Sequence, residues 1–272
     1  MNVIICADAK AVGKEAYKVV RDRIVNGHAK VLGLPTGSSP IPLYKEMAAG
    51  YKRGEIDFSD VHTFNLDEYL GLPVEHPQSY RNFMNTNLFD HINLKEENIN
   101  FLNGMTDDIA GECASYEEKM EELGGIKLQI VGIGRDGHIG FNEPGTPLYG
   151  RTGCVTLDTP TIEDNKRFFA SAAEVPRWAL SMGVGTILDT NEVLMVADGP
   201  NKADAIAGML EGPITGMNTA SALQLHPNVT VVIDEAAAAK LTRKAYYKKT
   251  STNNVADMLA YLTAARKKAG LE

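Results

Sequence analysis

The chain has 272 residues, of which 44% are hydrophobic and 23% charged, a composition that excludes disordered and fibrous classes and fits a folded globular protein. Its formal net charge of -8 argues against nucleic-acid binding, which favours a basic surface, and MNVIICADAK at the start has no basic leader and is too short an apolar run for a membrane span. The three cysteines, Cys6, Cys113 and Cys154, lack C-x-x-C spacing and are too few for a disulfide framework, so a reducing cytoplasmic setting fits.

The first strand is expected in NVIICA, so that structure begins at once. A helix from about Lys10 to Asn26 follows, with Val12, Ala16, Val19, Val20 and Ile24 on one face. KVLGLP is the next strand. The turn LPTGSSP after it brings Pro40 close to the start of a helix through PLYKEMAAGYKRG. In that turn Thr36, Gly37, Ser38 and Ser39 offer N–H and O–H donors to a phosphate, although the Gly-Lys-Ser/Thr of a nucleoside-triphosphate loop is missing. VHTFNL is a third strand. It leads to Asp67 and Glu68, where a carboxylate could serve as a general base if burial tunes it, or simply form a solvated turn.

A helix around SYRNFMNTNLFDHI, the strand INFL and a helix through GECASYEEKMEEL come next, followed by the strand KLQIVGIG. The run GIGRDG at Gly132–Gly137 matches the dinucleotide fingerprint G-x-G-x-x-G, and Asp158, at the end of the strand-like GCVTLD, stands where a ribose-binding acid is expected. That fingerprint requires a helix opening on its last glycine. Here Gly140, Pro144, Gly145, Pro147 and Gly150 occupy five of the next thirteen positions, so a loop is expected instead. The loop carries Asp136, His138 and Glu143. An imidazole oriented by carboxylates is a proton-transfer group, whereas a single imidazole outside an H-E-x-x-H helix makes a weaker metal site. Beyond it, Arg167 and Lys202, the latter just after the strand VLMVAD, could add cations to a phosphate clamp or be ordinary surface charges. The helix NKADAIAGMLEG, the strand VTVVID and C-terminal helices complete the chain.

Alternating strands and helices of this kind predict an α/β fold with a doubly wound, mostly parallel sheet covered by helices on both faces. With no linker and no internal repeat, one domain over residues 1–272 is expected.

In this order and spacing, LGLPTGSSP, FNLDEYLGLPVEHPQSY, NINFLNG, GIGRDGHIGFNEPG, RFF, GVGTILD and LQLHP resemble the glucosamine-6-phosphate deaminase family, from residue 32 to 227. The resemblance implies a reaction without cofactor or metal that converts glucosamine 6-phosphate and water into fructose 6-phosphate and ammonia. By the same resemblance Asp67 moves the proton between C2 and C1, and His138 opens the sugar ring with the aid of Asp136 and Glu143. Thr36, Gly37, Ser38, Ser39, Arg167 and Lys202 correspond to the phosphate site. The segment from about 144 to 170, rich in Gly and Pro at its start, is expected from its composition to be a lid.

One departure is visible. Where activated members of the family carry an Arg and a Lys that hold the phosphate of N-acetylglucosamine 6-phosphate, this chain has Gly153 and Val155, which implies insensitivity to that activator and leaves monomer, dimer and hexamer open as homo-oligomeric states. Two alternatives share the architecture. A 6-phosphogluconolactonase-like hydrolase would not be expected to carry the NLDEY base, and a non-catalytic sugar-phosphate-sensing domain would be expected to follow a DNA-binding helix pair.

Overall fold

A strand that is apolar at every position must be covered on both faces, because successive side chains point to opposite sides. The computed structural model describes residues 1–251 and 255–271 and meets that requirement with a parallel sheet between two helical layers. In chain order the elements are β1 (Asn2–Cys6), α1 (Ala9–Val25), β2 (Val31–Leu34), α2 (Ile41–Lys52), β3 (His62–Asn65), β4 (Asp67–Tyr69), α3 (Tyr80–Asn87), β5 (Ile99–Asn100), α4 (Ile109–Glu122) and β6 (Leu128–Val131). They continue with β7 (Gly153–Thr156), α5 (Thr159–Asn165), β8 (Trp178–Ser181), α6 (Val184–Leu188), β9 (Val193–Ala197), α7 (Ala203–Glu211), β10 (Val229–Asp234), α8 (Lys244–Thr250) and α9 (Val255–Lys268). The expected domain over 1–272 includes residues 252–254 and 272, which lie outside the described residues.

The large sheet has seven strands in the order β1-β10-β9-β6-β2-β3-β5, each parallel to its neighbour. Along β9, Val193, Met195 and Ala197 enter one core and Leu194 and Val196 the other. The first core is closed by α4, α6 and α7 through Tyr116, Ile187 and Ile206. The second is closed by α1, α2 and α3 through Val20, Met47 and Met84. α1 begins where Asp8 accepts the Ala11 N–H at 2.8 Å, a side-chain cap for an otherwise unpaired donor. Of its expected apolar face Val12, Ala16 and Val20 are buried, while Val19 and Ile24 are partly so. The sheet is therefore of the doubly wound, mostly parallel type that the alternating pattern predicts.

The sequence did not lead us to expect a second sheet. β4, β8 and β7 pair antiparallel in that order. The two sheets meet at Leu66, whose N–H donates to Leu34 O at 3.0 Å and whose carbonyl accepts from the Met182 N–H at 2.7 Å. With only that residue between β3 and β4, Asp67 is held just past the carboxyl end of the large sheet. Asp67 and Glu68 therefore form a buried strand rather than a solvated turn. The difference has a physical source: the pairing partner, Leu180–Ser181, comes from more than a hundred residues away, and no local pattern reveals it. The loop expected after β6 is present, with no helix or strand between Val131 and Gly153. Asp158 serves instead as the cap of α5, accepting from the Thr159 N–H at 2.6 Å. Its exit is tied down by Glu117 of α4, which accepts from the Thr152 N–H at 2.9 Å and from the Thr186 hydroxyl at 2.6 Å.

All three cysteines are free thiols. No helix among the described residues is long and apolar enough to cross a membrane. Because Leu194 is fully buried at the centre of the large sheet, Leu194→Ala is expected to lower unfolding stability by about 3 kcal/mol, measured by urea titration.

Candidate active site

Ligands of open parallel sheets collect beyond the carboxyl ends of the strands. Here the segments leaving β9, β6, β2 and β3, four neighbours in the sheet, surround a solvent-open cleft. Its walls carry Thr36, Gly37, Ser38 and Ser39 after β2, Asp67 after β3, His138 after β6, Arg167 after α5 and Lys202 after β9. Asp136 and Glu143 contact the imidazole of His138. The structure thus brings all the sequence-predicted residues to one place.

The Gly-rich loop owes its shape to the imidazole. A Cβ on Gly134 would fall 2.4 Å from His138 Cε1, so only glycine admits the ring there. Gly140 has φ +57°, and a Cβ on it would lie 3.7 Å from Asp67 Oδ2, which shows how closely the loop approaches the carboxylate. His138 Nδ1 lies 2.8 Å from Asp136 Oδ1 and 3.5 Å from Glu143 Oε2. Burial lowers the imidazole pKa, but the two carboxylates outweigh it and push it up to about 9. Burial also raises the Asp136 carboxyl, and His138 reverses that, holding it down at about 2. The donor atoms of these three residues fall within 4.8 Å of one another, close enough for a small divalent cation. The direct Nδ1–Asp136 contact fits a charge-stabilised imidazolium better, because it already engages the one ring nitrogen facing the carboxylates.

Asp67 is 6% exposed, and among the described residues its Oδ1 has no hydrogen-bond partner. Burial, helped by the charge of Glu68, raises its pKa to about 7, with His138 pulling the other way. Glu68 is buried beside it but committed elsewhere. Its carboxylate accepts the N–H groups of Tyr69, Tyr80 and Arg81 at 2.8–2.9 Å and so caps the start of α3. Burial raises the Glu68 pKa too, and those three donors restrain it. Of two adjacent acids, one is fixed by backbone donors and one is left with an uncommitted lone pair.

On the same cleft wall, the turn at 36–39 enters α2, and Ser39 holds down the carboxyl of Asp198 beyond β9, whose pKa burial raises. Burial lowers the Lys202 pKa; the carboxylates of Asp164, Asp198 and Asp136 oppose this, and Arg167 adds to it. Two cations that feel each other beside a hydroxyl-rich turn suit a multiply charged anion.

Tyr80, Arg135, Asp164 and Asn165 also line the cleft, and residue-by-residue reading of the sequence passed over them. The Asn165 amide donates to the Tyr69 hydroxyl at 2.9 Å, which receives the Tyr80 hydroxyl at 3.3 Å. Tyr80 closes the segment FNLDEYLGLPVEHPQSY and Arg135 stands inside the glycine run, so both had a signal. Asp164 and Asn165 had none, since their position depends on α5 folding back over the cleft.

Residues 7–232 match the family model for glucosamine-6-phosphate isomerases/6-phosphogluconolactonase. A glucosamine-6-phosphate deaminase of Thermoanaerobacter pseudethanolicus is 50% identical over 238 residues, 88% of this chain and 94% of that one. One from Hahella chejuensis is 47% identical over 262 residues, 96% of this chain and all (100%) of that one. Among solved structures, a monomeric glucosamine-6-phosphate deaminase superposes with a TM-score of 0.86 at 41% identity, covering 88% of this chain and 100% of its own. The 6-phosphogluconolactonase of Trypanosoma cruzi, with a TM-score of 0.70 at 18% identity, over 89% of this chain and 97% of that one, shares the fold alone.

The raised pKa of Asp67 has a consequence for stability. A carboxyl whose folded pKa lies above its unfolded value of about 3.9 binds its proton more tightly in the folded state, so its contribution is lost as pH rises toward about 7. Asp67→Asn removes that loss. Its melting-temperature advantage over the wild type is expected to grow between about pH 4 and pH 7 and to stay level above, read from thermal unfolding across that range.

Proposed function

The chain belongs to the family of glucosamine-6-phosphate isomerases and 6-phosphogluconolactonases, and we infer that within it this protein is a glucosamine-6-phosphate deaminase, converting glucosamine 6-phosphate and water into fructose 6-phosphate and ammonia. The observation that carries the reading is the buried Asp67 carboxylate, unpartnered at Oδ1 and tuned to about 7, in one cleft with His138 and with the hydroxyls of the 36–39 turn, Arg167 and Lys202.

A closed aminosugar ring has no free carbonyl, so the ring must open first. His138, protonated at neutral pH because its pKa is about 9, gives its proton to O5 and, once neutral, takes up the proton that O1 loses, and Asp136 and Glu143 stabilise the imidazolium before and after. The open form is an aldehyde at C1 with an amine at C2. Asp67 then removes the C2 proton, the electron pair moves into a C1–C2 double bond, and the C1 oxygen takes its proton back from His138. Returning the proton to C1 leaves an imine at C2, which water hydrolyses to the ketone and ammonia. No external oxidant or reductant is needed: C1 is reduced as C2 is oxidised. Thr36, Gly37, Ser38, Ser39, Arg167 and Lys202 hold the phosphate, so that binding energy from the unreactive end positions C1 and C2 against the carboxylate.

The small-molecule substrate is an amino sugar phosphate, and the setting we propose is cytoplasmic. The whole chain would act as one catalytic domain, with residues 144–170 as its lid. Support for the lid comes from Thr161, Asp164, Asn165 and Arg167 on the cleft wall and from the bond between the Asp158 N–H and Glu143 Oε1 at 3.2 Å. Gly153 and Val155 lie on β7, at the edge of the small sheet, and neither offers a charge to an activator.

Ammonia release from glucosamine 6-phosphate tests the reading against lactone hydrolysis. Asp67→Asn is expected to reduce it by about 10²–10⁴-fold, and near-normal release would refute the base assignment. The kcat/KM profile should rise through about pH 7 as Asp67 ionises and fall through about pH 9 as His138 loses its proton. Initial rates at sub-saturating substrate should be unchanged by N-acetylglucosamine 6-phosphate; clear activation would contradict the part given to Gly153 and Val155.

A further inference from the structure

Asp164 takes no part in the chemistry above, yet it lines the cleft together with the 36–39 turn, Arg167 and Lys202. It stands at the end of α5. Its Oδ2 is 3.3 Å from Nε of Arg135, which reaches in from the Gly-rich loop after β6. Burial lowers the Lys202 pKa, and the charge of Asp164, with those of Asp198 and Asp136, opposes this. The Arg135 and Asp164 side chains remain 50% and 48% exposed, so their pairing adds little to the fold and constrains the carboxylate only weakly.

We propose that Asp164 is an internal counter-anion of the phosphate end of the cleft, paired with Arg135 beside Arg167 and Lys202, which the phosphate of the substrate must displace in order to bind. A phosphate monoester carries between about one and a half and two negative charges at neutral pH, against one for the carboxylate, so it wins the exchange where a neutral sugar cannot. Asp164 thereby lowers affinity for every ligand at this end of the cleft, and most for those with too little charge to replace it. It is a specificity residue, not a catalytic one. This inference rests on the reading that the 36–39 turn, Arg167 and Lys202 receive the substrate's phosphate.

Inorganic phosphate is the probe, with its Kd measured by calorimetry on the full chain and on Asp164→Asn, Asp164→Glu and Lys202→Ala. Asp164→Asn is expected to bind phosphate about three- to tenfold more tightly and to lower KM for glucosamine 6-phosphate by a similar factor, with the gain in KM rather than kcat. Asp164→Glu, which keeps the charge, should return both toward wild-type values. Lys202→Ala should weaken both. If Asp164→Asn leaves phosphate affinity unchanged or weakens it while Lys202→Ala still weakens it, the counter-anion role is overturned and the phosphate reading stands. If Lys202→Ala leaves phosphate affinity unchanged, the phosphate reading fails and the proposal falls with it.

Discussion

A carboxylate taken out of water with no partner is among the least favourable groups a fold can hold, and the rest of this site depends on keeping one, Asp67, in that condition. The arrangement works because Leu66 belongs to two sheets at once. Its N–H extends the large parallel sheet and its carbonyl begins the small antiparallel one, so the following residue has no freedom to swing toward solvent. Backbone geometry, rather than a salt bridge, holds the acid in place. Glu68 shows the alternative outcome: one position further on, the same kind of side chain finds three N–H donors and becomes part of the scaffold.

The second ionisable centre is built on opposite terms. His138 is buried as well, but two carboxylates surround it, so the interior favours its charged form where it disfavours that of Asp67. Placing a neutralised acid and a stabilised cation in one cleft separates their pKa values to about 7 and about 9. In the proposed mechanism this leaves a window in which the base is free and the acid is loaded. Glycines make the juxtaposition possible sterically. The G-x-G-x-x-G run is thus used for close approach to an imidazole and not for a pyrophosphate, and the absence of a following helix in the sequence already pointed that way.

Much of this was legible in the chain before any coordinates. The near-continuous apolar runs VLMVA and VTVVID and the helical face at Val12, Ala16 and Val20 are local signals, and they led to the correct layers. So did the proximity of Asp136, His138 and Glu143, since three residues within eight positions of a loop can hardly avoid one another. The small sheet was not legible. β4 is three residues long and two of them are acids, a composition with little strand preference, and its partner β8 lies far along the chain. Nor could Asp164 be read, because its contact with Arg135 arises only when α5 turns back across the cleft. In the sequence, chemistry was visible wherever neighbours in the chain are neighbours in space, and hidden where the second sheet or the returning helix supplied the neighbour.

Glu143 serves two masters. One oxygen faces the imidazole of His138 at 3.5 Å and the other takes the N–H of Asp158, at the threshold of α5. The carboxylate beside the imidazole is thus anchored by the segment that leads into α5, so the electrostatics of the ring and the placement of that helix are tied through one side chain.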